Sequence, residues 1–371
     1  MKRIIFTVTN DLNHDQRMLR ICTSMSEAGF SVLLVGRKKK NSKPLSTQPY
    51  KQHRMNLIFE KGKLFYLEYN LRLFFFLLFS RFNLVCGIDL DSIVPCILIS
   101  KLKGKKCVYD AHEIFTETPE VERRPAIKKI WLRVEKISVK RIVKGICVSD
   151  GLKDYFFQKY GKEFSVVRNF PTRLKTEALE SARLQTVPSH ANEKMILYQG
   201  ALNEGRGLEL LIEAMQSVNA KLILAGEGDL SESLRNSVRE LKLENKIEFK
   251  GFVSPNELKL LTRKSYIGIN LLEARSKNYY YSLANKFFDY TEAGIPSLNM
   301  NFPEYKKCND EFEVSVLLDN LSVEKISESL NNLLNNEQLY HRLQANCLRA
   351  REVWNWNLEK EKLIKVFKEI S

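Results

Sequence analysis

Residues 279–296 read YYYSLANKFFDYTEAGIP, and three side chains in that run could do chemistry together: Ser282, Lys286 and Asp289. Serine is a favoured helix N-cap, and residues three apart share a helical face, so a helix starting at Ser282 would carry Lys286 and Asp289 on one side. Gly294 and Pro296 supply the stop signals that end such a helix. A helix start offers unbonded N–H groups and the positive end of the peptide dipoles, which attract phosphate. The expected cradle is therefore the backbone of Ser282, Leu283 and Ala284 with the Lys286 ammonium. A carboxylate one or two turns further on could accept hydrogen bonds from hydroxyls. Diphosphate and polyol together describe a sugar nucleotide, and this run is expected to hold one.

The elements that must position these residues follow from periodicity. Short β-branched runs alternate with longer amphipathic stretches along the whole chain, the pattern of βαβ units and parallel sheets. In the first half, RIIFTV, SVLLVG, LVCGI, KCVYDA and GICVS read as five strands. Helices are expected at 15–28, 68–81, 91–102 and 125–141, with 38–51 a polar loop. A second series, MILYQG, KLILAGEG, KIEFKGF, YIGINLL, SLNM and VSVLL, begins after the RNFPTR segment at 168–173, where Pro171 interrupts both periodicities. The fold class is α/β, with two Rossmann-like, doubly wound domains. The expected bounds are 1–170 and 171–345, with 346–371 a C-terminal helical segment returning to the first domain. One long helix is expected near 337–369, carrying Trp354 and Trp356.

A chain of 371 residues suits two cores of this size. Its net charge of +15 is uneven. Residues 1–172 hold 32 Lys and Arg against 16 Asp and Glu, whereas 173–371 hold 27 against 28. The first half should therefore attract polyanions. Nucleic acid is the weakest choice, because the basic residues are not interleaved with aromatics in any recognised module. Seven scattered cysteines without close pairing point to core packing in a reducing cytosol. The start MKRIIFTVTND has too short an apolar run for a signal peptide. Leu71–Phe79 is half the length of a membrane span; it suits a buried helix, or an aromatic edge dipping into an anionic membrane surface. The basic segment Ala126–Arg141 admits a solvated face, a membrane-docking face or a site for a phosphorylated lipid carrier, with docking favoured.

Four motifs at 198–215 (YQGALNEGRGLELLIEAM), 224–230 (LAGEGDL), 247–258 (IEFKGFVSPNEL) and 282–298 (SLANKFFDYTEAGIPSL) occur in an order and spacing that resembles the family-4 retaining glycosyltransferases. The resemblance spans nearly the whole chain and implies a GT-B fold, its two domains facing across a cleft. In that family two glutamates stand E-x7-E. Here Asp289 occupies the second place and Tyr281 the first, so Tyr281, Asn285 or Glu273 is expected to take over the first glutamate's part. Arg206 matches the second of two basic positions that neutralise the diphosphate; the first is Ala201, and Lys286 would supply the missing charge. Gly228 and the stretch near Gly251–Ser254, with Phe252, would border the nucleoside. In VYDAHEIFTETPE at 108–120, His112 matches the histidine beside the transferred sugar. The loop TNDLNHDQR at 9–17 lacks the usual glycine pair but puts Asn10, Asp11, Asp15 and Arg17 on the acceptor side.

The implied activity moves a hexose from a nucleotide diphosphate sugar, UDP-sugar favoured, to a hydroxyl of a glycan or lipid-linked glycan in surface polysaccharide or glycoconjugate biosynthesis. Configuration would be retained, with no cofactor and no metal, the D-x-D at 89–91 lying in the first domain. The place expected is the cytoplasm, on the inner face of the plasma membrane. Two alternatives stand beside it: a nucleotide-sugar 2-epimerase on the same fold, and a non-enzymatic binder of anionic membrane or polymer. Plainer readings of the single residues also stand. Gly226 and Gly228 would form an ordinary turn, Lys286 and Asp289 a solvated ion pair, and His112 a structural partner of Asp110.

Overall fold

Strands buried on both faces have no reason to alternate polar and apolar residues, and the central runs of this chain are continuously apolar for that reason. The computed structural model describes residues 1–13, 15–173 and 194–371. It separates into two units, one of Met1–Asn169 with Trp356–Ser371 and one of Phe170–Asn355.

In the first unit seven parallel strands stand in the order β3-β2-β1-β4-β5-β6-β7. They are β1 (Arg3–Thr7), β2 (Ser31–Lys38), β3 (Lys51–Asn56), β4 (Leu84–Ile88), β5 (Lys106–Ala111), β6 (Lys144–Cys147) and β7 (Phe164–Val166). Phe6 of β1 pairs with Leu34 of β2 on one side and Cys86 of β4 on the other. Five of these are the expected strands; β3 and β7 are additional and lie at the two edges. The order reverses between β1 and β4, so the loops after those two strands diverge and leave a crevice at their carboxyl ends.

The second unit holds six parallel strands in the order β10-β9-β8-β11-β12-β13, all at the expected runs. These are β8 (Met195–Gln199), β9 (Lys221–Ala225), β10 (Ile247–Gly251), β11 (Ile267–Asn270), β12 (Ser297–Met300) and β13 (Ser315–Leu318). Here the reversal falls between β8 and β11. Two glycines let the neighbouring loops close up: a Cβ on Gly226, whose φ is +149°, would lie 1.9 Å from the Gly200 carbonyl, and one on Gly228 would lie 2.2 Å from Asn203 Oδ1.

The single helix expected over 337–369 is two, Glu337–Val353 and Trp356–Glu369. Trp354 packs edge-on against Phe288 and Phe312 in the second unit. Trp356 donates its indole N–H to Ser24 Oγ at 2.9 Å, and Phe367 packs on Phe6 in the first. Burying one such ring is worth roughly 1.5–3 kcal/mol, enough to override the helical continuity of the two residues between. The chain accordingly changes unit at Asn355 and Trp356.

The Phe-rich helix, Gly62–Phe79, buries Phe65, Tyr69, Leu73 and Leu77 at four-residue spacing. Its opposite face leaves Leu64, Leu67, Leu71, Phe75 and Phe79 exposed, Phe79 by 82%. Among the described residues no helix is long and apolar enough to cross a membrane. All seven cysteines are buried thiols.

Candidate functional site

The second unit assembles its polar groups at the reversal between β8 and β11. Tyr198 and Gln199 end β8, and the helix Asn285–Ala293 brings Lys286 and Asp289 beside them. Lys286 is buried, at 7% exposure, with its Nζ 3.8 Å from the centroid of the Tyr198 ring. Burial pushes the Lys286 ammonium well below its ordinary 10.5, Arg206 pushes it further the same way, and Asp289 opposes both. The solvated ion pair considered for Lys286 and Asp289 is therefore not what forms. Arg206 lies close enough to oppose the burial-driven rise of the Tyr198 phenol, which still reaches about 12. Among the described residues the buried Nε of Arg206 has no hydrogen-bond partner. Two basic side chains thus lie near the Tyr198 phenol, with the Arg206 guanidinium 5.9 Å from the centre of the Tyr279 ring and Asp289 alongside, an expensive arrangement unless a further anion joins them.

Asp289 is held by its neighbours. Gln199 Nε2 donates to Asp289 Oδ2 at 2.9 Å, and Thr262 Oγ1 donates to Gln199 Oε1 at 2.8 Å. Because both ends of the amide are engaged, Gln199 has one orientation, and so has the carboxylate oxygen it binds. Sequence reasoning misses both Gln199 and Thr262; the only signal is the place of Gln199 at the end of a strand before Gly200.

Ser282 is not the cap that its residue type implies. Its Oγ and its N–H both donate to Tyr279 O, closing the turn after a short helix, Lys277–Tyr280. The phosphate-facing candidate helix begins three residues later, at Asn285, with Ala284 as an N-cap that offers no side-chain bond. The Ala284 N–H donates to Tyr305 Oη at 3.0 Å, and the Leu283 side chain is buried in the core. The first N–H groups of the helix proper belong to Asn285 and Lys286. Tyr281 caps the Lys277–Tyr280 helix and meets Tyr280 edge-on. Glu273 is paired with Arg275. The Gly228 N–H donates to Ser231 Oγ at 2.8 Å, and Phe252 follows β10 with 84% exposure.

The first unit has its own cluster at the carboxyl ends of β4 and β5. Arg17, 4% exposed, grips Asp110 with Nη2–Oδ1 at 2.9 Å and Nε–Oδ2 at 3.3 Å, and donates through Nη1 to Val167 O. His112 Nε2 lies 3.2 Å from Asp110 Oδ2 and 2.9 Å from Arg17 Nε, while Nδ1 lies 3.5 Å from Asp89 Oδ2. Nε2 can accept from Arg17 only when the ring is neutral. Burial disfavours the imidazolium, but two flanking carboxylates outweigh it and raise His112 to about 9, so Nε2–H donates to Asp110. Against its own burial, Asp110 is kept well below the usual carboxylate range by Arg17 and His112.

Asp89 belongs to the D-x-D of the first domain, and the fold gives it a place in this cluster. Its Oδ1 accepts the His112 N–H at 2.9 Å, and its φ of +54° puts a non-glycine residue in the left-handed region. Such strain persists where the surroundings hold a side chain in one position. Next to it, burial and the Asp89 charge push Asp91 up to about 7, with Thr9 Oγ1 donating to it at 2.6 Å. Among the described residues no group of three or more His, Cys, Asp and Glu is placed to hold a metal ion.

The four acceptor-side candidates are engaged locally. Asp15 caps the helix Gln16–Glu27 by accepting the Met18 N–H, and its second oxygen accepts from Asn10 Nδ2. Asp11 pairs with Arg54 at 2.7 Å and accepts from Ser42 Oγ, while Arg17 is committed to Asp110. Residue 14 of this loop lies outside the described residues.

Residues 183–349 match the family model of glycosyl transferases group 1. An uncharacterized glycosyltransferase of Methanocaldococcus jannaschii is 40% identical over 78 residues, a fifth of this chain and a fifth of that protein's length. Whole-chain structural likeness is broader. Anabaena Alr3699/HepE, solved with UDP and glucose, superposes with a TM-score of 0.79 at 14% identity over the full length of both chains. Sucrose-phosphate synthase from Thermosynechococcus elongatus gives 0.81 at 15% identity, over 100% of this chain and 99% of that one. The two parallel-sheet Rossmann-like units have the GT-B fold of those structures, and residues 183–349, within which most of the second unit lies, carry the domain of the glycosyl transferases group 1.

Proposed function

We propose that this protein moves a hexose from a UDP-sugar to a hydroxyl of a glycan or lipid-linked glycan, with retention of configuration and without a metal. The observation that carries the reading is the convergence of Lys286 and Arg206 on Tyr198, with Asp289 fixed by Gln199 one helical turn away. The cations would neutralise the diphosphate and stabilise it as a leaving group. Asp289 would accept hydrogen bonds from the sugar hydroxyls. UDP is favoured because Alr3699/HepE, alike in fold, was solved with UDP and glucose.

Retention without a covalent intermediate needs the acceptor oxygen to attack from the side the leaving group departs. The bond from the sugar C1 to the β-phosphate oxygen breaks, the acceptor O–C1 bond forms, and the hydroxyl proton passes to the departing phosphate. Asp289 is tied to Gln199 and Glu273 to Arg275, so among the described residues of the second unit these carboxylates are not arranged as a nucleophile and acid couple, which favours this scheme over double displacement. The exposed apolar face of the Gly62–Phe79 helix and the excess cations of the first unit support work at an anionic membrane surface, in the making of surface glycoconjugates.

The test is transfer of labelled sugar from UDP-sugars to a membrane lipid extract. Asp289→Ala and Arg206→Ala should each abolish transfer with the melting temperature nearly unchanged. Turnover like the unmodified protein in either variant refutes the roles of these two residues, and a 2-epimer formed from donor alone identifies an epimerase instead.

A further inference from the structure

We propose that the first unit carries a second anion site, separate from the cluster around His112, that takes a phosphate group. It is a pocket of about 400 Å³ lined by Leu132, Lys136, Lys140, Lys159 and Tyr160. The helix Pro125–Arg141 supplies the first three and the helix Asp150–Tyr160 the other two.

Under the pocket lies Glu135, fully buried, which accepts from Lys159 Nζ at 2.7 Å, Tyr155 Oη at 3.2 Å, Thr116 Oγ1 at 3.2 Å and Tyr160 Oη. Glu135 is thereby saturated, and its charge is balanced by Lys159 alone. Lys136 and Lys140 are left over. One turn apart, they repel each other, and among the described residues neither has an ion pair or hydrogen bond. Two unbalanced ammonium groups beside the Lys159–Glu135 pair make a concave patch of net positive charge. Lysines on flexible stems suit a compact phosphate dianion.

Topology separates this pocket from the transfer machinery. Lys136 and Lys140 lie in the last half of a helix that leads into the start of β6, and Lys159 and Tyr160 end a helix that leads into β7. In a parallel sheet those helix ends lie at the strand-start edge, opposite the carboxyl ends where Asp110 and His112 gather. The inference does not depend on the sugar-transfer reading. On the adjacent strip of the same helix Ile130 and Ile137 are 59% and 49% exposed, so the phosphate can come from a free diphosphate or from a lipid headgroup whose chains meet that strip.

Site-resolved lysine acylation, read by mass spectrometry on the full chain, tests it with two probes: inorganic pyrophosphate, and phosphatidylcholine vesicles with or without phosphatidic acid. Lys136 and Lys140 should react about tenfold more slowly at probe concentrations ten times Kd, while exposed Lys259 and Lys368 are unchanged. Slowing by both probes, by pyrophosphate alone or by acidic vesicles alone supports the site and names its source. No slowing, or equal slowing of every exposed lysine, overturns it. Lys136→Gln/Lys140→Gln keeps helix propensity and should abolish the probe's effect at Lys159 while UDP binding persists. Undiminished protection of Lys159 in that variant also overturns the site.

Discussion

Lys286 Nζ rests 3.8 Å from the centre of the Tyr198 ring, inside the second unit, where water cannot solvate it. An ammonium in that position is stabilised by the ring face, worth up to about 2 kcal/mol, against a burial penalty that is larger. Folding alone would favour an apolar residue there. Under the proposed function, the lysine is there for the diphosphate.

Lys286→Met, which keeps length and volume, is therefore expected to leave the melting temperature unchanged or raise it. UDP affinity should fall about 10- to 100-fold, the loss of one charge-assisted interaction. Calorimetric titration with thermal denaturation on the same samples reads both.

Because the Lys286 pKa is held below 10.5 by burial and Arg206, an arriving diphosphate should raise it. Donor affinity should weaken as pH rises through the depressed value. UDP titrations across a pH series should show this loss; an affinity that rises with pH contradicts the assignment.

Gln199→Leu removes the amide that joins Thr262 to Asp289. With the carboxylate no longer fixed, kcat should fall about 10-fold or more while donor Kd changes little. Equal losses in both would place Gln199 in binding instead.

His112 is raised from 6.5 to about 9 in the fold, so its contribution is fully present below pH 6.5 and is lost as pH climbs through about 9. Urea denaturation should show the first unit losing up to about 3 kcal/mol between pH 6.5 and 10. In His112→Gln that pH dependence should flatten. Asp89→Asn removes one of the two carboxylates and should lower the apparent pKa of the transition.

Gly226→Ala forces a Cβ to within 1.9 Å of the Gly200 carbonyl at a φ that side chains avoid. A loss of about 2 kcal/mol or more is expected, with weakened UDP binding, since the loops after β8 and β9 must part. Unchanged stability would show that the loops have room the geometry does not provide.

Much of this molecule follows from local pattern. Most strands of both units are readable because burial on both faces leaves aliphatic runs; the edge strand β10, IEFKG, is marked by its alternation instead. The two unexpected strands lack that mark. Lys51–Asn56 is KQHRMN, an edge strand with a single buried residue, and Phe164–Val166 has three residues. The helix Gln16–Glu27 lies where Asp15 and the periodicity put it, since a side-chain cap is a local bond.

Residue type and spacing alone also place Lys286 and Asp289 on one helix and His112 after a strand. Three things are settled only by the packed chain. Ser282 turns to Tyr279 O in place of capping, because a hydroxyl takes whichever carbonyl the turn presents. The final helix breaks at Trp354 and Trp356, because each ring has a different core to enter. Asp89, Arg17 and Asp110 meet around His112, because parallel pairing of β1 with β4 and of β4 with β5 brings together residues that lie tens of positions apart. Short-range preferences reach one turn or one strand, and the charges that make this protein's sites come from farther away than that.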